Sequence, residues 1–343
     1  MSYSRRSSET FRLFASRNRP FFRVMTVLSV LVAGSVVFGF SPVYAKDFRF
    51  DFQRVLDTGP EAVLELNYVS GNLTVVSSED QRIVIEAVKR VDAVSMDEAQ
   101  LIADHIEISV KQDNNRVSVA TNYLRMRNRS ASFWQKILGA GGTDSFGEVD
   151  WTIRVPRGCR LSVVNTSGNI DISHIFGDLD IRTSAAEIDL NSIEGVMNIE
   201  NASGVTRGEL LFGPVTLRQA QGKIDLRFVE GDIKIKSSAA DISVRQERGA
   251  LDLTTATGNV SIETYLDSSR DYFVETESGN ISLSIPETSS GNLRIESQTG
   301  DIRTDIPIAI NSMSHKQVDG TFGLGGVSVH LMSISGDVTV AQF

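Results

Sequence analysis

From Gly168 onward the chain keeps a beat of nine residues. Stepping by nine gives Gly168, Gly177, Ala186, Gly195, Gly204, Gly213, Gly222, Gly231, Ala240, Gly249 and Gly258, with no insertion. Two and four places after each small residue stand pairs such as Ile170/Ile172, Ile188/Leu190, Ile224/Leu226 and Ile242/Val244. Across the 11 steps, 20 of these 22 positions are apolar, Thr206 and Gly208 being the exceptions; composition alone would supply about nine. Side chains two apart on a strand share a face, so every step offers two aliphatics to one interior. No single step can hide them. Stacked rungs can, which makes a parallel β-solenoid the expected fold.

The size of the residue before each small one sets the coil. Phe176, Glu194, Phe212, Glu230 and Arg248 fall on one phase, and Ala185, Ser203, Gln221, Ala239 and Thr257 on the other. Size thus repeats at eighteen and favours two strands per coil, with a bulky and a tight corner; a triangular coil of three steps is the alternative. The interior is expected to be one dry aliphatic column. Later rungs loosen into Ser278-Gly279-Asn280-Ile281, Ser290-Gly291-Asn292-Leu293 and Thr299-Gly300-Asp301-Ile302, and Ser335-Gly336-Asp337-Val338-Thr339-Val340 is expected to be the last rung.

Other segments frame this region. Six arginines from Arg5 to Arg23 precede an uncharged apolar run, Val24 to Phe40, and then Pro42 and Val43-Tyr44-Ala45. That order predicts a secretory signal peptide over 1–45, with an uncleaved membrane anchor as the alternative. Residues 46–121 alternate like strands and hold one helical stretch, Met96 to His105; they are expected to form a β-rich entry module. Residues 122–148 predict a glycine-rich insertion around an apolar island, Phe133 to Leu138, tucked onto the body or used as a membrane or partner contact. Residues 149–304 are expected to be the solenoid, entered through Trp151 to Pro156, and 305–343 a loop and C-terminal cap ending in the final strand.

The whole chain carries −9. The leader holds six Arg and one Glu, a net of +5, so the remainder carries −14. An acidic exported chain argues against nucleic acid and against electrostatic attachment to anionic lipid. With Cys159 the one cysteine, no intrachain disulfide can form; its setting beside a turn predicts a small packed residue and not a reactive thiol.

Candidate chemistry is sparse. Calcium-binding nonapeptides need GGxGxDxUx, whereas these steps read SGNIDI, FGDLDI and QGKIDL, with an aliphatic where the second glycine belongs. Outward Asp171, Asp189 and Asp225 share one face, and Asp180, Asn198, Thr216, Lys234 and Asp252 the other. Asp171 and Asp189 should lie about 5 Å apart on adjacent rungs, close enough to share a cation; the simpler expectation is a solvated ladder with Arg207, Arg227 and Arg245 as counter-charges. Phe176, Phe212 and Phe228 fall near corners where packing would explain them. His105, His174, His315 and His330 are scattered, and no HExxH, GxSxG or P-loop spacing occurs. No catalytic, cofactor-binding or metal-ligating residue is assigned.

The TSGNIDI rung at 166–172, the VPRGCRLSVVNTSG entry at 155–168, the recurrent SGN and SGD steps and the closing SGDVTV at 335–340 resemble the bacterial "putative adhesin" family. The resemblance covers roughly 60–343. It implies an exported β-solenoid of unassigned biochemical function, located in the periplasm or at the cell surface, with no catalytic residues to carry over. The expected function is a non-enzymatic envelope protein with an adhesin-like surface for a protein or glycan ligand. A self-assembling scaffold is the alternative, and a carbohydrate-active β-helix enzyme comes third. Membrane contact is expected only if the leader stays uncleaved.

Overall fold

The structure, a computed structural model, describes residues 45–123, 147–267 and 269–343. The expected signal peptide falls, but for Ala45, outside the described residues, as does the island Phe133 to Leu138. In chain order the elements begin with β1 (Lys46–Asp57), β2 (Val63–Asn67), β3 (Leu73–Ser78), β4 (Arg82–Ala93), α1 (Met96–Ala103), β5 (Ile106–Asp113), β6 (Arg116–Tyr123) and β7 (Glu148–Pro156). Then come β8 (Arg160–Ser167), β9 (Ile170–Ile175), β10 (Leu179–Glu194), β11 (Met197–Phe212), β12 (Val215–Glu230), β13 (Ile233–Arg248), β14 (Leu251–Thr257), β15 (Val260–Thr264), β16 (Tyr272–Ser278) and β17 (Ile281–Ile285). The last are β18 (Gly291–Ser297), β19 (Ile302–Thr304), β20 (Ala309–Met313), β21 (Gln317–Phe322), β22 (Val327–Ser335) and β23 (Val338–Gln342).

The fold is the parallel β-solenoid, and its coil is eighteen residues. Leu179 pairs with Met197, Met197 with Val215 and Val215 with Ile233, all parallel. β10 to β13 each run round the tight corner unbroken, so each supplies one strand to both sheets. The two aliphatics of every step face inward: Ile188 is 0% and Ile233 2% exposed. At about 25 cal/mol per Å², burying each such side chain stabilises by roughly 1.5–3 kcal/mol.

The interior is not wholly dry. Beside the tight corner one inward position is polar in successive coils: Asn165, Thr183, Asn201, Gln219 and, beyond Ser237, Thr255, Thr276 and Ser333. Asn165, Asn201, Gln219, Thr255 and Ser333 serve corner carbonyls that the sheet leaves over, whereas the Thr183 and Thr276 hydroxyls are buried without a partner among the described residues. Asn201 Nδ2 donates to Ala186 O (3.0 Å), and Gln219 Nε2 to Gly204 O (3.1 Å), Gln221 O (3.2 Å) and Lys223 O (3.2 Å). Ser333 Oγ donates to Gly279 O at 3.1 Å. The Thr206 exception fits the same network, because its Oγ1 donates to Gln219 Oε1 at 2.7 Å. Gly208 makes room for Leu211, whose Cδ1 would lie 2.7 Å from an added Cβ.

The corner glycines are set by the approach of one coil to the next. At Gly222 (φ +117°) an added Cβ would sit 1.9 Å from Gly204 O. The residue after the glycine accounts for the SGN and SGD steps. Asp241 Oδ1 accepts from Asn259 N (2.9 Å), Asn259 Oδ1 from Asn280 N (3.1 Å), Asn280 Oδ1 from Asp337 N (2.8 Å) and Asp337 Oδ1 from Asp301 N (2.9 Å). A carboxylate or amide on each coil thus receives the backbone N–H of its neighbour.

That ladder corrects the expected order of rungs. The SGDVTV segment is last in sequence and last but one in space: β22 pairs with β16 and β18, and β23 with β17 and β19. The chain lays down β18/β19 as the outer coil, turns through the β20–β21 hairpin, antiparallel on β18, and returns to fill the layer between. The start is interleaved likewise. β2 and β3, expected in the entry module, stack in parallel on β8 and β9, and β6 and β7 stack beyond them on β2 and β3. The boundary expected at 149 therefore does not mark where the stack begins. The reason is that Leu64, Leu66, Leu73 and Val75 present the same inward pairs as later rungs, and all are buried.

Antiparallel strands cover this end, β5 on β6, β4 on β7 and β1 on β4. Helix α1 packs against β4 through Ala99, Ile102 and Ala103. Its start follows the sequence: Ser95 Oγ accepts from Glu98 N (3.2 Å) and Glu98 Oε2 from Val94 N (3.2 Å). No helix among the described residues is long and apolar enough to cross a membrane.

Candidate binding surface

Because the pairing register is constant, each outward position becomes a column running along the stack. On the sheet that contains β9, one column reads Asp171, Asp189, Arg207, Asp225. Asp171 and Asp189 are register neighbours, as expected, but Arg207 takes up the charge: its Nη1 lies 3.3 Å from Asp189 Oδ1 and 3.5 Å from Glu187 Oε2. Both carboxylates hold the Arg207 guanidinium more firmly protonated than usual, Asp189 the more strongly. Arg227 closes on Asp225 with two 3.0 Å hydrogen bonds. Arg245, the third expected counter-charge, instead pairs with Glu263 (3.4 Å) and Glu247 (3.5 Å) and lies over the Phe228 ring. Among the described residues no group of three or more His, Cys, Asp and Glu side chains is placed to hold a metal ion.

On the other sheet Arg182 pairs with Asp180 (3.0 Å), Arg218 with Glu200 (3.2 Å) and Lys234 with Asp252, while Asn198 and Thr216 lie between as neutral rungs. An open groove of about 640 Å³ follows the tight corner here, floored by Ser184, Ala202, Ala220 and Ser238 and edged by Arg218 and Lys236.

The bulky corner is built differently. His174, Ser192, Leu210 and Phe228 occupy one position in successive coils, all with left-handed φ between 53° and 59°. For Leu and Phe that conformation costs about 1–3 kcal/mol, sustained by the pairing on either side. Two residues further on, Phe176 and Phe212 are 42% and 40% exposed. Packing therefore does not account for them as the sequence suggested. Arg157 lies over the Phe176 ring, 5.0 Å from its centroid. The interior polar residues escaped sequence reasoning, although Asn165, Thr183, Asn201, Gln219 and Ser237 recur at eighteen on an inward phase; that recurrence was the available signal.

The histidines stay apart. His330 Nε2 lies 3.5 Å from Glu296 Oε1 and its ring meets Phe273 edge-on, while His315 lines a concavity with Asp301 and Met313. Cys159 is fully buried, and burial pushes its thiol up to about 12.

Residues 72–341 match the family model described as Toastrack DUF4097. The chain belongs to the Toastrack DUF4097 family. No curated protein matches this Toastrack chain in sequence. Among solved structures it is similar to a "putative adhesin" from Bacteroides fragilis NCTC 9343, at 10% identity and a TM-score of 0.36, covering 86% of this chain and 97% of that one. A "putative lipid binding protein" from Parabacteroides distasonis ATCC 8503 matches at 9% identity and a TM-score of 0.37, covering 84% and 96%. A "putative cell adhesion protein" from Clostridium sporogenes ATCC 15579 matches at 11% identity and a TM-score of 0.21, covering 86% and 100%. Likeness at that level carries no functional argument.

Proposed function

We propose that this Toastrack protein is a non-enzymatic, exported cell-envelope protein whose solenoid flanks form an adhesin-like binding surface, in the periplasm or at the cell surface. One observation carries the reading: the eighteen-residue register lines outward side chains into continuous columns, many coils long, on both sheets and both corners. Such a surface suits an extended ligand engaged by many small contacts more than a substrate held at one point. On the sheet faces Asp189, Asp225 and Glu200 are paired with neighbouring arginines, which leaves them unsuited to act as an acid and a base.

The test is binding of the purified full chain to isolated cell-envelope fractions, with fractionation of expressing cells to follow export. Retention on envelope material and recovery outside the cytoplasm are the expected results. A cytoplasmic chain, or one that no envelope fraction retains, overturns the proposal. A scaffold reading has one observation in its favour. The outer edge strand β20 carries no charge and is exposed throughout, Ile310 and Met313 included, the kind of edge that recruits another strand.

A further inference from the structure

The bulky corner carries a more specific arrangement. Phe176, Glu194, Phe212 and Glu230 each immediately precede the corner glycine of successive coils, so they form a single column. Neighbouring strands lie about 4.8 Å apart, which places the backbones of Phe176 and Phe212 about 9.6 Å apart with the Glu194 position between them. Phe176 and Phe212 are both close to half exposed, and Arg157 backs one face of the Phe176 ring. Glu194 makes no ion pair among the described residues, whereas Glu230 is held by Arg248 at 2.7 Å. A concavity of about 540 Å³ opens at the Phe176 end, lined also by Glu194, Arg160, Asp178 and Glu61.

The chemistry narrows the ligand. The backbone at this corner is already used between coils, Gly195 N donating to Phe212 O (2.9 Å) and Gly213 N to Glu230 O (2.8 Å). A peptide therefore finds no strand edge here to extend. A bilayer would bury the Glu194 carboxylate between the two rings without a partner, at heavy cost. Asp178 is held by Arg160 at 3.6 Å, and Glu61 and Glu194, which line the same concavity, would repel a polyanion. What fits is a chain whose units present an apolar C–H face to each ring and hydroxyls to the carboxylate between. In an extended β-1,4-linked glycan alternate sugars turn the same face outward, and that disaccharide repeat is close to the two-coil spacing of the rings.

The geometry points to Phe176 and Phe212 as an aromatic ladder for a linear, uncharged β-1,4-linked glycan, with Glu194 accepting hydrogen bonds from the sugar between them. This rests on the reading of the solenoid flank as a binding surface and names its ligand class.

The experiment is calorimetric titration of the full chain with chito-oligosaccharides and cello-oligosaccharides of two to six units, with malto-oligosaccharides as the α-linked control. At least one β-1,4 series should bind, with affinity rising once the chain is long enough to cover both rings. Phe176→Ala and Phe212→Ala should each weaken binding about tenfold and abolish the gain with length, while Phe212→Tyr keeps it. Both rings are exposed, so circular dichroism and melting should stay unchanged; should either variant melt early, Glu194→Arg, at an exposed position, takes its place with the same expected loss. The ladder is overturned if neither β-1,4 series binds, if the α-linked series binds equally well, or if the substitutions leave affinity unchanged. Wild-type retention on envelope fractions with no oligosaccharide response sinks the ladder alone. Absence of envelope retention sinks the broader reading.

Discussion

At the scale of single residues, the stack depends on a few positions where a neighbouring coil leaves no alternative. Gly222→Ala would press a Cβ into Gly204 O and force a left-handed φ on alanine; chemical denaturation should show a loss of about 3 kcal/mol or more. Ala186→Gly, at the matching corner two coils away, should cost only about 0.5–1 kcal/mol in the same measurement. Gln219→Leu would remove the two amide hydrogens shared among the Gly204, Gln221 and Lys223 carbonyls and the acceptor of the Thr206 hydroxyl, for an expected loss of about 2–4 kcal/mol. The buried Cys159 thiol should ignore a thiol reagent at pH 8 in the folded protein and react once denaturant is added. Rapid labelling of the native chain would contradict that placement. The aliphatic pairs and small corner residues were legible because the pairs fail only at Thr206 and Gly208 and every corner is Gly or Ala. The Gln219 column was not, since one polar residue per eighteen reads as surface until the coil size is fixed.

Among the elements, the strands through the middle of the stack follow directly from the beat, and α1 follows from its Ser95 cap and acidic first turn. The ends do not. Interleaving of β2/β3 with β6/β7, and of β22/β23 with β18/β19, depends on which coil meets which. Local pattern is the same for a coil laid in order and one laid out of order, so sequence periodicity is blind to it. Edge strands differ in their protection. β1 carries Lys46, Asp47, Arg49 and Asp51, while β20 carries no charge. Ile310→Lys should therefore leave the melting temperature unchanged and abolish any concentration-dependent light scattering. Persistence of scattering would place association elsewhere.

For the molecule as a whole, the continuous column of buried aliphatics makes stability cumulative, each coil resting on two neighbours. The interleaved far end departs from that simple sum. Removing residues 327–343 takes out the layer on which β18 and β19 sit, so residues 291–304 should become susceptible to limited proteolysis while β8 to β13 remain protected. Equal protection along the whole truncated chain would contradict the assembly order. The candidate ladder was visible in sequence as the Phe/Glu alternation at eighteen. Its exposure was not, because a corner residue can point either way until the left-handed turn before it is known.

A polypeptide delivered from its N-terminus can wind rung after rung as it emerges, but only as far as β17. The next stretch to appear, β18 and β19, gains its seat on the stack only when β22 and β23 have emerged and slid in beneath it. A later segment thus locks in place one made before it.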